Sequence, residues 1–191
     1  QGGSSPGRAC FLTGLYPHQN GQVGLASWSF GMYHEDTPNI VNTLKDAGYR
    51  TGIIGKLHIN PESAFHFDYW PFKDANFLRE GMNRYADCSK EFIEKCGDTP
   101  FYLQVNYPDT HLPFIKQVDG LPEHPLDEDE VEAFPYLGLT SPKLKKRTAN
   151  SLNCLMRLDH YVGELLKVLE ESGKADNTMI IYVADHGIDL M

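Results

Sequence analysis

Four short stretches of the chain carry residues able to handle an anion. In Ser4-Ser5-Pro6-Gly7-Arg8-Ala9-Cys10-Phe11-Leu12-Thr13-Gly14, the pattern predicts a tight turn feeding a short helix that stops at Gly14. This brings Ser4 close to a helix N-terminus, where unpaired backbone N–H groups and the helix dipole favour negative charge. Arg8, one turn later, adds a bidentate clamp. A nucleophile facing an oxyanion is one reading of this arrangement; an N-cap serine followed by a surface arginine is the other. Gly55-Lys56-Leu57-His58, Asp109-Thr110-His111 and Asp185-His186-Gly187 add cationic and metal-ligating types. Each of these, taken alone, reads equally as a polar loop, with Asp185 capping its own backbone and His58 or His111 serving as an ordinary hydrogen-bonding residue. Asp109, after Pro108, is as much a turn former as a substrate contact, and Cys10 reads as core.

What argues for a shared site is the set of elements that must position these residues. A helix signal followed by a β-rich run that ends in polar residues occurs three times. In the first unit Thr37 is the expected N-cap and Pro38 the first helical residue. Ile40, Val41 and Leu44 give the apolar face, Gly48 the stop, and a strand over 49–54 leads to Lys56 and His58. In the second, a short helix around Phe92 and Ile93 precedes a strand over 101–105 that ends before Asp109 and His111. In the third, Leu152, Leu155, Met156, Val162, Leu165, Leu166 and Leu169 fall near helical spacing, Gly173 closes the helix, and a strand over 179–184 ends at Asp185 and His186. Alternation of this kind predicts an α/β fold with a largely parallel sheet, whose ligands collect outside the carboxyl ends of the strands. The aromatic-rich stretch 60–85 is expected to pack irregularly over the site's edge, while the acidic run 127–130 and the basic run 143–147 read as solvated surface or helix starts.

Composition narrows the function classes. With 191 residues, 41% hydrophobic, the chain is long enough for one globular domain, taken here as 1–191. A formal charge of −9 argues against a general nucleic-acid partner, so any anion must be held by a local cluster. No apolar run approaches the ~20 residues of a membrane span, and no membrane partner is expected. Cys10, Cys88, Cys96 and Cys154 lack metal-ligand spacing; a Cys88–Cys96 bridge is one possibility and free or buried thiols the other.

The four stretches, in this order, resemble the motifs of the type I sulfatases. Ser4-Ser5-Pro6-Gly7-Arg8 with Leu12-Thr13-Gly14 matches that family's Ser/Cys-x-Pro-x-Arg signature. Gly55-Lys56-Leu57-His58 is similar to its Gly-Lys-x-His motif, Asp109-Thr110-His111-x-Pro113 to its central histidine loop, and Asp185-His186-Gly187 to its second metal-binding segment. Residues 50–62 resemble most the heparan N-sulfatase branch. The resemblance implies an alkaline-phosphatase-like sandwich with a largely parallel central sheet flanked by helices. It also implies a hydrolase that removes sulfate from a sulfated sugar or other small molecule. Ser4 would be converted to formylglycine by a maturation enzyme, Arg8 would orient it, and Lys56 would bridge nucleophile and sulfate. His58 would hold or deprotonate the hydrated aldehyde, and His111 would contact sulfate and protonate the leaving group. Asp185 and His186 would be metal ligands for Ca²⁺, with Mg²⁺ as the fallback.

Two departures accompany the resemblance. Serine rather than cysteine at position 4 points to the anaerobic bacterial maturation system or to a Cys-to-Ser replacement. The family's first strand, with an aspartate pair for the metal, should precede Ser4, and relatives continue past Met191; the sequence is therefore expected to be incomplete at both ends, with a half-built metal site. Rival readings are a phospho- or phosphonate-ester hydrolase of the same superfamily and a non-catalytic binder of sulfated glycans. Family habit suggests a periplasmic, secreted or lysosomal location.

Overall fold

The computed structural model describes residues 2–73 and 77–187. In chain order its regular elements are α1 (Ser4–Thr13), α2 (Pro17–Asn20), α3 (Ile40–Asp46), β1 (Arg50–Gly55), α4 (Arg84–Cys96), β2 (Phe101–Asn106) and α5 (Pro142–Glu171), with short 3-10 turns between them. The strands pair in parallel, Arg50 opposite Phe101 through Gly55 opposite Asn106, so both run out at the same edge. A parallel pair needs a crossover, and α4 supplies it.

Each element follows from its residues, with adjustments. α1 ends as expected at Gly14 (φ 69°), whose N–H reaches the Cys10 carbonyl at 2.8 Å. α3 is capped by Asn39, not Thr37: the Asn39 side chain accepts from the Asn42 N–H at 3.0 Å, and Pro38 lies before the helix. The Thr37 hydroxyl is instead turned to the His34 carbonyl. α5 is longer than its leucine pattern suggested, because Ser141 caps it through the Leu144 N–H and the basic run forms its first turns.

The core wraps the strand pair. Ala9, Leu12, Val41, Ile53, Leu57 and Ile59 join α1, α3 and β1. Phe92, Ile93 and Cys96 of α4 pack with Leu169 of α5, against Phe101 and Leu103. All four cysteines are free thiols. Cys88 and Cys96 are two turns apart on one helix, about 12 Å at 1.5 Å per residue, which no disulfide can span.

The third expected strand is a correction. Residues 179–184 form no strand and pair with none among the described residues, and Met179, Ile181 and Tyr182 are 86%, 63% and 72% exposed. A β-rich run becomes a strand only where a neighbour completes its hydrogen-bond ladder. Among the described residues no helix is long and apolar enough to cross a membrane.

Candidate active site

The edge where β1 and β2 end faces the first turn of α1. Ser4, buried there, donates its hydroxyl to Asp185 Oδ2 at 2.8 Å and accepts from Arg8 Nε at 3.2 Å. Arg8 Nε also reaches Asp185 Oδ2 at 2.8 Å, and Arg8 Nη1 donates to the Lys56 carbonyl at 3.0 Å. That carbonyl accepts a second bond, 2.7 Å, from Asn106 Nδ2, so the end of β2 fixes the turn that follows β1. Close approach at α1 depends on Gly7: a Cβ there would lie 2.2 Å from the Asp185 carbonyl oxygen.

Lys56 and His58 are buried beside this network. Burial, with the nearby Arg8 charge adding to it against the pull of Asp185, pushes the Lys56 amine down to about 8. Burial, reinforced by Lys56 and Arg8, pushes His58 down to about 4, so its imidazole is neutral near pH 7. Burial would raise the Asp185 carboxyl, but Arg8, the Ser4 hydroxyl and His186 outweigh it and hold the pKa below its ordinary value. His58 adopts φ 59°, uncommon outside glycine, and its Nδ1 lies 3.2 Å from Ser5 Oγ, which itself accepts the Ala26 N–H at 2.9 Å.

Phe77 joins the remaining histidine to this group. Its ring centroid is 4.2 Å from Lys56 Nζ, 4.5 Å from the His111 ring and 6.1 Å from the His58 ring. The stretch expected to cover the site's edge does so through this ring. Ser4, Arg8, Lys56, His58 and Asp185 thus share one connected cluster, and His111 meets it across Phe77. His186 follows Asp185, its Nε2 3.7 Å from Asp185 Oδ1. His18 stacks on Tyr16, Asn20 bonds to Thr13 and Leu15, and His34 lines a separate groove beside α3.

Asp109 sits, as a turn former would, in the turn closed by the His111 N–H on the Pro108 carbonyl at 3.0 Å, and it is not an open substrate contact. Its carboxylate is buried between Arg79 (2.8 Å) and Arg157 (2.6 Å). Sequence reading missed this pair, as it missed Ser5, Phe77 and Asn106. The spacing of Ser5 within the first motif was the only available signal.

A divalent cation fits these residues only in part. Asp185 and His186 offer one carboxylate and one imidazole beside Ser4, and the described residues hold no group of three or more His, Cys, Asp or Glu able to bind a metal. A hard cation wants six or more oxygens, so this pair could form one side of such a site.

The family model and a relative of 30% identity show one family, and solved structures show its fold. The family model described as Sulfatase matches residues 1–191. The chain is 30% identical to human N-sulphoglucosamine sulphohydrolase, over 96% of this chain and 41% of that relative. It is 24% identical to an arylsulfatase of Clostridium perfringens, over 96% and 53% respectively. A crystal structure described as the sulfatase yidJ of Bacteroides fragilis superposes with a TM-score of 0.73 at 21% identity, covering 91% of this chain and 50% of that one. The lipoteichoic acid synthase LtaP of Listeria monocytogenes shares the fold at a TM-score of 0.56 and 15% identity, covering 88% and 40%. The chain therefore spans about half the length of the relatives it matches.

Proposed function

The chain belongs to the sulfatase family, and from that premise we propose that residues 1–191 are part of the catalytic domain of a hydrolase that removes sulfate, as ester or sulfamate, from a sulfated sugar. The observation that carries this is the convergence of Ser4, Arg8 and Lys56: a serine at a helix start, clamped by an arginine, beside a buried lysine. The sugar substrate and the sulfamate option are supported by the relative that is named as acting on N-sulphoglucosamine.

Conversion of Ser4 to formylglycine by a maturation enzyme would give the site a hydrated aldehyde as its nucleophile. Arg8 holds that side chain through Nε and stabilises charge developing on its oxygen. Lys56, cationic below about pH 8, meets the sulfate oxygens. His58 is neutral near pH 7; in the tautomer whose Nδ1–H donates to Ser5 Oγ, Nε2 is unprotonated and takes the nucleophile's proton. His111, whose ring packs on Phe77, protonates the departing oxygen or nitrogen. Asp185 and His186 would supply two ligands to a divalent cation, Ca²⁺ in our reading, whose charge would offset that of the sulfate. A periplasmic, secreted or lysosomal location accords with the family.

The deciding experiment is mass spectrometry of the peptide containing Ser4 from protein made in its native host, with turnover measured on matched aryl sulfate and aryl phosphate. A peptide lighter by two hydrogens, together with preference for sulfate, is the expected result. An unmodified serine in protein that binds sulfated glycan without turnover would favour the binder, and preference for phosphate would favour the phosphoester hydrolase.

A further inference from the structure

Asp109, Arg79 and Arg157 lie outside the roles above, yet they are among the most buried charges in the described chain. The Asp109 and Arg157 side chains are 0% exposed and that of Arg79 is 7%. Each carboxylate oxygen takes one guanidinium. Two arginines on one aspartate leave a net buried positive charge, and removing ions from water costs several kcal/mol each unless geometry repays it. Apolar side chains would pack the space without that cost. What the ions add is direction.

The donors left over show where that direction points. Arg79 donates through Nη2 to the His111 carbonyl. Arg157, from α5, donates through Nη1 to the carbonyls of Ile115 and Leu121, both at 3.3 Å. The loop from Asp109 to Leu121 is thus pinned to α5 at three points and to Arg79 at two. Arg79 stands two residues after Phe77, whose ring touches both His111 and Lys56.

We infer that the Arg79–Asp109–Arg157 cluster is a positioning device that locks the His111 loop and the Phe77 ring together against Lys56 and His58. Its catalytic consequence rests on the roles proposed for Lys56 and His111; its geometric content does not. Arg79 is the informative member, because its removal leaves Asp109 and Arg157 as a charge-balanced pair and should spare the fold.

The test uses full-length protein with isotope-labelled histidine and the variants Arg79→Met, Arg79→Lys and Phe77→Ala. Phe77→Ala sets the reference, since loss of an aromatic ring 4.5 Å away must shift the His111 ring signals. Arg79→Met should move the His111 and His58 signals in the same direction and leave His18 and His160, which touch neither, in place. With an aryl sulfate it should lower kcat on the order of 10²-fold, the scale expected of ångström-size misplacement, with little change in KM. Arg79→Lys, which keeps the charge but not the two-point fork, should lie between parent and Arg79→Met in both readouts; it carries the comparison if the methionine variant folds poorly. Histidine signals unmoved by either substitution, or moved while kcat stays at the parental value, would overturn the inference. If the parent itself does not hydrolyse sulfate, the hydrolase reading fails, and the histidine spectra still decide whether the cluster positions the ring and the loop.

Discussion

β1 and the segment 179–184 look alike in sequence, each a short β-rich apolar run ending at residues of the site, and they fare differently in the fold. Thr51, Ile53 and Ile54 are fully buried; Met179, Ile180, Ile181, Tyr182 and Val183 are all more than half exposed. β1 has the β2 ladder on one side and the Tyr69 carbonyl bonding to Ile53 N–H at 2.9 Å on the other, with Phe92 over Gly52. The later segment has no ladder partner among the described residues. Composition makes a run competent to be a strand, and neighbours decide whether it is one. The Asp185 end nevertheless reaches the site, because Arg8 and Ser4 hold its carboxylate.

The contrast can be broken at several points. The largest effect is expected where β1 delivers its lysine. In mature full-length protein, Lys56→Ala should lower sulfate-ester turnover by about 10²–10³-fold, as for loss of one preorganised charge contact, with the melting temperature little changed. Turnover near the parental level would detach the end of β1 from the chemistry.

Within the strand, Gly52→Val should cost about 1–3 kcal/mol by overpacking, since a Cβ there meets Phe92 at 2.8 Å and Leu103 at 3.0 Å. A shifted urea midpoint with unchanged slope would show it, and an unshifted midpoint would mean that β1 is less tightly enclosed than described.

A pH series sharpens the same point. Lys56 is pushed down from 10.5 to about 8 in the folded state, so between those values the unfolded chain holds more protons and this group makes stability rise with pH. Turnover should fall over the same window as the lysine loses its charge. Denaturation midpoints and rates measured from pH 7 to 10 test both signs, and a turnover plateau to pH 10 would remove the cationic role.

The smallest effect belongs to the exposed run. In the 191-residue chain, Ile181→Asn should change stability by no more than about 0.5 kcal/mol, as for surface sites generally. A loss of several kcal/mol in the denaturation curve would show that the run is packed after all.

The local parts of this molecule were the legible ones. Ser4 to Gly14 reads directly, because a helix start, its arginine one turn on and its glycine stop fall within eleven residues. β1 and β2 read from apolar runs that the fold buries or half-buries. The α3 cap was misplaced because Pro38 after Thr37 imitates a helix start, whereas Asn39 is chosen by its side chain accepting from the Asn42 N–H and donating through Nδ2 to the Ala64 carbonyl. The Asp109 cluster could not be read, since its arginines lie 30 and 48 residues away and no local period connects them. Phe77 was one aromatic among many, distinguished only by what the fold brings beneath it.

Gly7 gives the helix α1 an unusual selective character. Its backbone is ordinary helix, so nothing about its torsion angles calls for glycine; what excludes a side chain is the Asp185 carbonyl passing 2.2 Å from where the first carbon would stand. Alanine is the better helix former by roughly 1 kcal/mol. At this position intrinsic preference and tertiary proximity are therefore in open conflict, and Gly7→Ala should lengthen the life of isolated α1 while displacing the very carboxylate that α1 exists to meet. Read as a substitution record, position 7 would look like tolerance of a weak helix former, when it is the footprint of a chain segment nearly 180 residues downstream.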